Sequence, residues 1–207
     1  MTLPEIDRNK LQIRTRRLVL RPLQFGDYAA WVEANRQAKP SQNRFDSGTS
    51  PESTSTKVIL KKMLRSENVL WIKDRHYSLA IFEKKTGALV GSVQVLPHVR
   101  MVFQTAAIGY TIKNNHWRKG YASEAVRALT LFAFKKLKFH RLTAEIELEN
   151  KASIRLAKKM GFRKEGRILR AIYFNKKWND MELYAVTAED LGFPKSPPVF
   201  RTRLQEY

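Results

Sequence analysis

The stretch most able to do chemistry is Ile108-Gly109-Tyr110-Thr111-Ile112, followed by Asn114-Asn115-His116-Trp117-Arg118-Lys119-Gly120-Tyr121-Ala122-Ser123-Glu124-Ala125. It reads as a strand, a short polar loop with one glycine, and a helix entered directly. At a helix start the first N–H groups lack an intrahelical acceptor and the macrodipole is positive. Gly120 admits backbone close to a ligand, and Ala122 leaves the helix entry uncluttered. Arg118 and Lys119 add positive charge at the same end. Such a turn offers a seat for a pyrophosphate. The structural alternative is that Gly120 only makes the turn and Trp117 packs in the core. Neither GxxxxGK[ST] nor GxGxxG occurs, so two common phosphate-binding loops are excluded.

Other chemistry is narrowed by what the chain lacks. There is no cysteine, which removes disulfides, thiolate metal sites and cysteine nucleophiles. His76, His98, His116 and His140 are scattered without metal-ligand spacing, so no metal is expected. Glu145, Glu147 and Glu149 alternate, as the solvated face of a strand does. Asn150 fits a helix N-cap and Ser153 a first-turn hydroxyl.

These residues need elements to position them. Leu18, Leu20 and Pro22-Leu23 read as a first strand, Phe25-Gly26-Asp27 as a turn and N-cap, and 28–35 as a short helix. Residues 39–56 are rich in Ser, Thr, Pro, Asn and Gly, the composition of a mobile loop. Ser50-Pro51-Glu52 could start a helix with Val58, Ile59, Leu60, Met63 and Leu64 on its apolar face. Strands follow at 77–82 and 88–96 around the turn 83–87, then at 106–112. Ala122, Ala125, Val126, Leu129 and Ala133 give 122–136 a helical period. A strand at 142–148, a helix at 151–160 closed by Gly161, and strands at 167–174 and 178–186 complete the order. Hairpins mixed with helical crossovers predict an α+β fold with a mixed sheet. A single domain is expected over 14–187, with an N-terminal extension at 1–13 and a tail at 188–207 that is Pro-containing and extended after Leu191.

At 207 residues with 43% hydrophobic side chains the chain can bury a real core, which excludes a mainly disordered protein. The 39 Lys+Arg exceed the 19 Asp+Glu by 20. This field favours polyanions but does not dictate a fold. The two-to-one excess is nearly even along the chain, so no detachable basic arm accounts for it. Its densest run is 151–177, with only Glu165 against ten cations. On the helix there, Lys151, Arg155, Lys158 and Lys159 form a basic stripe. The segment MTLPEIDRNK lacks the charged start and apolar core of a signal peptide, and no apolar run reaches bilayer length. A soluble cytoplasmic protein without membrane contact is expected.

Trp117-Arg118-Lys119-Gly120-Tyr121-Ala122-Ser123-Glu124-Ala125 resembles the acetyl-CoA-binding segment of the GCN5-related N-acetyltransferases, and in particular of their ribosomal-protein-alanine branch. Asn150-Lys151-Ala152-Ser153-Ile154-Arg155-Leu156-Ala157-Lys158-Lys159-Met160-Gly161-Phe162 is similar to that family's NxxSxxLxxKxGF helix. Thr15-Arg16-Arg17-Leu18-Val19-Leu20-Arg21-Pro22 is similar to the branch's first strand. The three segments stand in the family's order, and the resemblance spans about 14–187.

What the resemblance implies is a mostly antiparallel central sheet with flanking helices and a splayed parallel strand pair. It also implies direct transfer of acetyl from acetyl-CoA to an amine. The pyrophosphate would sit on the N–H groups of Arg118, Lys119, Gly120, Tyr121, Ala122 and Ser123, with Ile112 and Trp117 completing the cofactor set. The pantetheine arm would pair between strands 106–112 and 142–148, where a backbone N–H polarises the thioester carbonyl. Asn150 would hold the pantetheine, Ser153 would lie near the sulfur, and Lys158 or Arg118 would meet the adenosine phosphate. Two family positions depart: Ala107 stands where a glutamate often precedes Ile-Gly-Tyr, and Ala157 where other branches carry an acid tyrosine.

The acceptor implied is a protein N-terminal α-amine, with a ribosomal or RNA surface as a further partner and a monomer or homodimer as the assembly. A small amine such as a polyamine or aminoglycoside is the second reading, which the basic charge disfavours. A noncatalytic RNA- or ribosome-binding module of the same fold is the third.

Overall fold

A computed structural model describes residues 6–194. Among them eight strands, mostly antiparallel with one parallel pair, combine with four α-helices in the expected α+β class. They are β1 (Ile13–Arg14), β2 (Leu18–Arg21), α1 (Tyr28–Arg36), α2 (Lys57–Ile72), β3 (Tyr77–Glu83), β4 (Leu89–Val99), β5 (Thr105–Ile112), α3 (Tyr121–Lys135), β6 (Arg141–Glu147), α4 (Lys151–Lys159), β7 (Arg163–Phe174) and β8 (Lys177–Thr187). Contacts divide the described chain into two compact units interleaved in sequence: 6–95 with 109–129, and 96–108 with 130–194.

In the first unit β1, β2, β3 and β4 pair antiparallel in chain order. Leu18, Leu20, Leu79, Ile81 and Val93 alternate onto the buried face and are fully buried, as is Val90, which lies at the register shift between β3 and β4. Leu23, Ala34, Leu60, Phe82 and Leu89 close a second cluster, with Trp31, Met63 and Leu64 packed against it. Val58 and Ile59 are exposed, so the apolar face of α2 is narrower than the composition suggested. The helix also starts later than Ser50-Pro51: Thr56 is its N-cap, and the Thr56 side chain accepts from the Ile59 N–H. Asp27 does not cap α1 with its side chain. Its carboxylate instead receives both Arg21 terminal nitrogens at 2.7 Å and the Gln24 N–H at 2.8 Å.

In the second unit the first half of β5, residues 105–108, runs parallel to β6 from Thr105↔Arg141 to Ala107↔Thr143, where the pairing ends. Parallel strands need a crossover, and α3 supplies it. β6 pairs antiparallel with β8, and β8 with β7. Leu142, Ala144, Ile146, Ile154, Ala157, Phe162 and Val186 are buried, as are Phe132, Phe134 and Phe139. Gly161, at φ +85°, closes α4 as expected. β7 begins four residues earlier than its apolar period, because Arg163–Gly166 is an exposed edge with little burial pattern to read. The tail beyond Pro194 lies outside the described residues.

Candidate active site

The loop-to-helix turn belongs to the first unit. β5 ends at Ile112, and Lys113 N–H still pairs with the Val90 carbonyl at 2.9 Å. A single 3-10 turn, Asn114–His116, then leads to Trp117. Trp117 is extended and exposed rather than in the core, and its indole N–H donates to the Ile112 carbonyl at 2.7 Å. Arg118 and Gly120 both take left-handed backbone, at φ 62° and φ 77°. For Gly120 that geometry is inexpensive; for Arg118 it is a local strain that the surroundings must hold. The first bond of α3 runs from the Glu124 N–H to the Gly120 carbonyl at 3.2 Å. The N–H groups of Tyr121, Ala122 and Ser123 therefore lack an intrahelical acceptor.

The turn is braced from behind. Glu124 accepts from the Thr15 hydroxyl at 2.6 Å, the Arg17 N–H at 2.7 Å and the Arg17 Nε at 2.7 Å. Arg17 also donates to the Lys119 carbonyl at 2.8 Å and lies over the Tyr121 ring at 4.9 Å. The Tyr121 hydroxyl donates to Glu83, whose carboxyl is held below its ordinary range by hydrogen bonds from Thr86 and then Tyr121. Arg118, Lys119 and Gly120 remain exposed. His116 is partly buried, and burial with the nearby Lys119 charge pushes its pKa down. Its Nδ1 and the Asn115 Oδ1 are buried without a hydrogen-bond partner among the described residues. The helix-start donors beside exposed Gly120 suit an anionic acceptor.

Asn114, buried, ties this turn to the 39–56 segment. Its Oδ1 accepts from the Lys39 N–H at 2.7 Å, and its Nδ2 donates to the Lys39 carbonyl at 2.7 Å and to Asp46 at 2.9 Å. Lys113 Nζ donates to Asn35 Oδ1 at 2.7 Å, and burial pulls the Lys113 pKa down.

Asn150, Ser153 and Lys158 belong to the second unit, on α4. Asn150 is its N-cap, with Oδ1 accepting from the Ser153 N–H at 3.1 Å. That oxygen is engaged; the Nδ2 donor has no partner among the described residues. Lys158 is exposed in the last turn. Ala157 faces the core, and Ala107 is half-buried at the last parallel register position. Its register partner, Thr143, has a buried hydroxyl with no hydrogen-bond partner among the described residues. No cluster of His, Cys, Asp or Glu able to hold a metal occurs among the described residues.

Sequence reasoning passed over Glu124, Glu83 and Asn114. A glutamate in a first helical turn carried a signal, since that position favours an acid. Asn114 carried none, because its partners lie far away in the chain.

These features make an α+β fold with an exposed strand–loop–helix turn whose first helical N–H groups lack an intrahelical acceptor. The chain belongs to the acetyltransferase (GNAT) family, whose domain model matches residues 17–163. It is 36% identical over 118 residues to the Bacillus subtilis protein named "Probable N-acetyltransferase YjcK", a match covering 57% of this chain and 65% of that one. The chain thus spans just under two thirds of that relative's length. It is 27% identical over 114 residues to the Escherichia coli [Ribosomal protein uS5]-alanine N-acetyltransferase, covering 55% of this chain and 59% of that one. Mycobacterium smegmatis RimJ, solved in complex with CoA-disulfide, has the same fold, with a TM-score of 0.71, 23% identity and 84% of each chain covered.

Proposed function

We propose that the protein transfers acetyl from acetyl-CoA to a protein N-terminal α-amine, of the ribosomal-protein-alanine kind. The observation that carries this reading is the braced turn, with left-handed Arg118 and Gly120 ahead of three unpaired helix-start N–H groups. The N–H groups of 118–123 bind pyrophosphate, Ile112 and Trp117 flank it, and Lys158 or Arg118 meets the adenosine phosphate. The free Asn150 Nδ2 donates to the pantetheine arm. A backbone N–H of β5 stabilises the oxyanion as the C–N bond forms. As the C–S bond breaks, the Ser153 hydroxyl relays a proton to the departing thiolate and regains one from the water that took it from the amine. With alanine at 107 and 157, the amine proton leaves through water. The acetyltransferase domain spans 14–187 and works in the cytoplasm as a monomer or homodimer, near a ribosomal surface.

The protein acceptor is supported by the name of the Escherichia coli relative and by the net charge of +20, which repels cationic small amines. Gly120→Glu places bulk and negative charge in the turn, where even a Cβ lies 3.3 Å from Arg17. Calorimetry should show acetyl-CoA affinity lowered at least a hundredfold in this variant while circular dichroism stays native. Unimpaired binding would remove the cofactor assignment. Coenzyme A release measured against N-terminal alanine peptides, spermidine and an aminoglycoside should be fastest with the peptides. A faster polyamine reaction would replace the acceptor.

A further inference from the structure

The β7–β8 hairpin carries groups to which the proposed acetyl transfer assigns no role. Tyr173 pairs with Trp178 and Phe174 with Lys177 across a two-residue turn, Asn175-Lys176, in which both residues have positive φ. The Tyr173 and Trp178 rings meet edge to face with centroids 5.5 Å apart, yet they are 59% and 60% exposed. Trp71, by contrast, is buried. Leu169 and Phe174 extend the exposed apolar surface. From 166 to 179 there is no acid. Asp180 answers Arg167 at 3.2 Å and accepts the Arg170 backbone N–H at 2.9 Å. The side-chain charges of Arg170, Lys176 and Lys177 have no ion-pair partner among the described residues.

Two open aromatic rings interleaved with unmatched cations are the elements of a stacking platform for unpaired bases along a phosphate backbone. We propose that the outer half of this hairpin binds single-stranded nucleic acid. Tyr173 and Trp178 stack on bases, and Arg170, Lys176 and Lys177 contact phosphates. The charge disfavours the other occupants. A second copy of the same tip would bring like charges together. Insertion into a lipid surface would drive Lys176 and Lys177 ahead of the rings into hydrocarbon. The inference is independent of acetyl transfer, because no hairpin residue belongs to the proposed active site.

The test is fluorescence anisotropy of a labelled 12-nucleotide oligo(U) titrated with the full chain over a range of salt. Tyr173→Ala with Trp178→Ala should weaken binding at least tenfold, while Tyr173→Phe with Trp178→Phe, which keeps both rings, stays within about threefold of the parent. Lys176→Ala with Lys177→Ala should reduce the slope of log K against log salt by about 1.4, two phosphates' worth for a single strand. The lysine pair lies outside the ring contact, so its slope decides the matter if the alanine ring variant does not fold. The proposal is overturned if the parent does not bind, or if duplex RNA binds as tightly as the single strand. It is overturned equally if the ring variant instead loses sedimentation with phosphatidylglycerol vesicles, or converts a dimer to a monomer in ultracentrifugation.

Discussion

Glu124 sits in the first turn of α3, where the helix dipole already favours a negative charge. Burial alone would raise its pKa. The hydrogen bonds from the Thr15 hydroxyl, the Arg17 N–H and the Arg17 side chain outweigh that cost and hold it below its ordinary 4.5. A carboxyl lowered in the folded state contributes stability above its unfolded pKa, and loses that contribution as pH falls through the folded value. Glu124→Gln removes the charge and one acceptor from a mostly buried site, so it should cost about 1–3 kcal/mol at pH 7. Denaturant titrations of both proteins check this. The gap should be full at neutral pH and shrink progressively below pH 4.5. A gap constant down to acid pH would mean the carboxylate is not what braces the turn. Arg17 is committed to the same brace, which leaves Arg118 and Lys119 as the exposed cations of the turn.

At the scale of elements, Asn114 joins a loop to a strand end across more than sixty residues of chain. Asn114→Ala removes the bonds to Lys39 and Asp46 and leaves the Lys39 N–H without its acceptor. The expected cost is about 2–3 kcal/mol from several bonds of ordinary net worth. Trypsin should cut at Arg44 about ten times faster in the variant, read by timed digestion, because local opening governs cleavage. Equal digestion rates would show that other contacts fix the segment. The composition of 39–56 correctly announced irregular backbone, but the tether was not legible: one buried asparagine carries no periodicity. The helices, the hairpins and the turn before α3 were legible because apolar period, glycine and caps are local signals. β1 was missed because two residues show no alternation. Gly91 was missed for another reason. Within a strand it looks unremarkable, yet a Cβ there would lie 2.2 Å from the Thr111 carbonyl oxygen, so it permits β5 to approach β4. Of the candidate site, the Gly120 turn and the Asn150 cap came from sequence, and the Thr15–Arg17–Glu124 brace needed the fold.

Over the whole molecule, the charge of +20 exerts two effects that salt should drive in opposite directions. Evenly spread cations repel one another in the folded state more than in the expanded chain, so screening favours folding. The same field attracts a polyanionic cosubstrate, so screening weakens binding. Raising NaCl from about 10 to 200 mM shortens the screening length from about 30 Å to below 10 Å. Local pairs such as Arg17–Glu124 at 2.7 Å are too close for this change to matter much, whereas the dispersed excess is largely silenced. Thermal melts should therefore shift upward by a few degrees, while the acetyl-CoA Kd measured by calorimetry rises several-fold. If surface ion pairs governed stability instead, salt would lower the melting temperature, and both measurements would worsen together. Opposite responses would separate the charge that holds the ligand from the charge the fold merely tolerates.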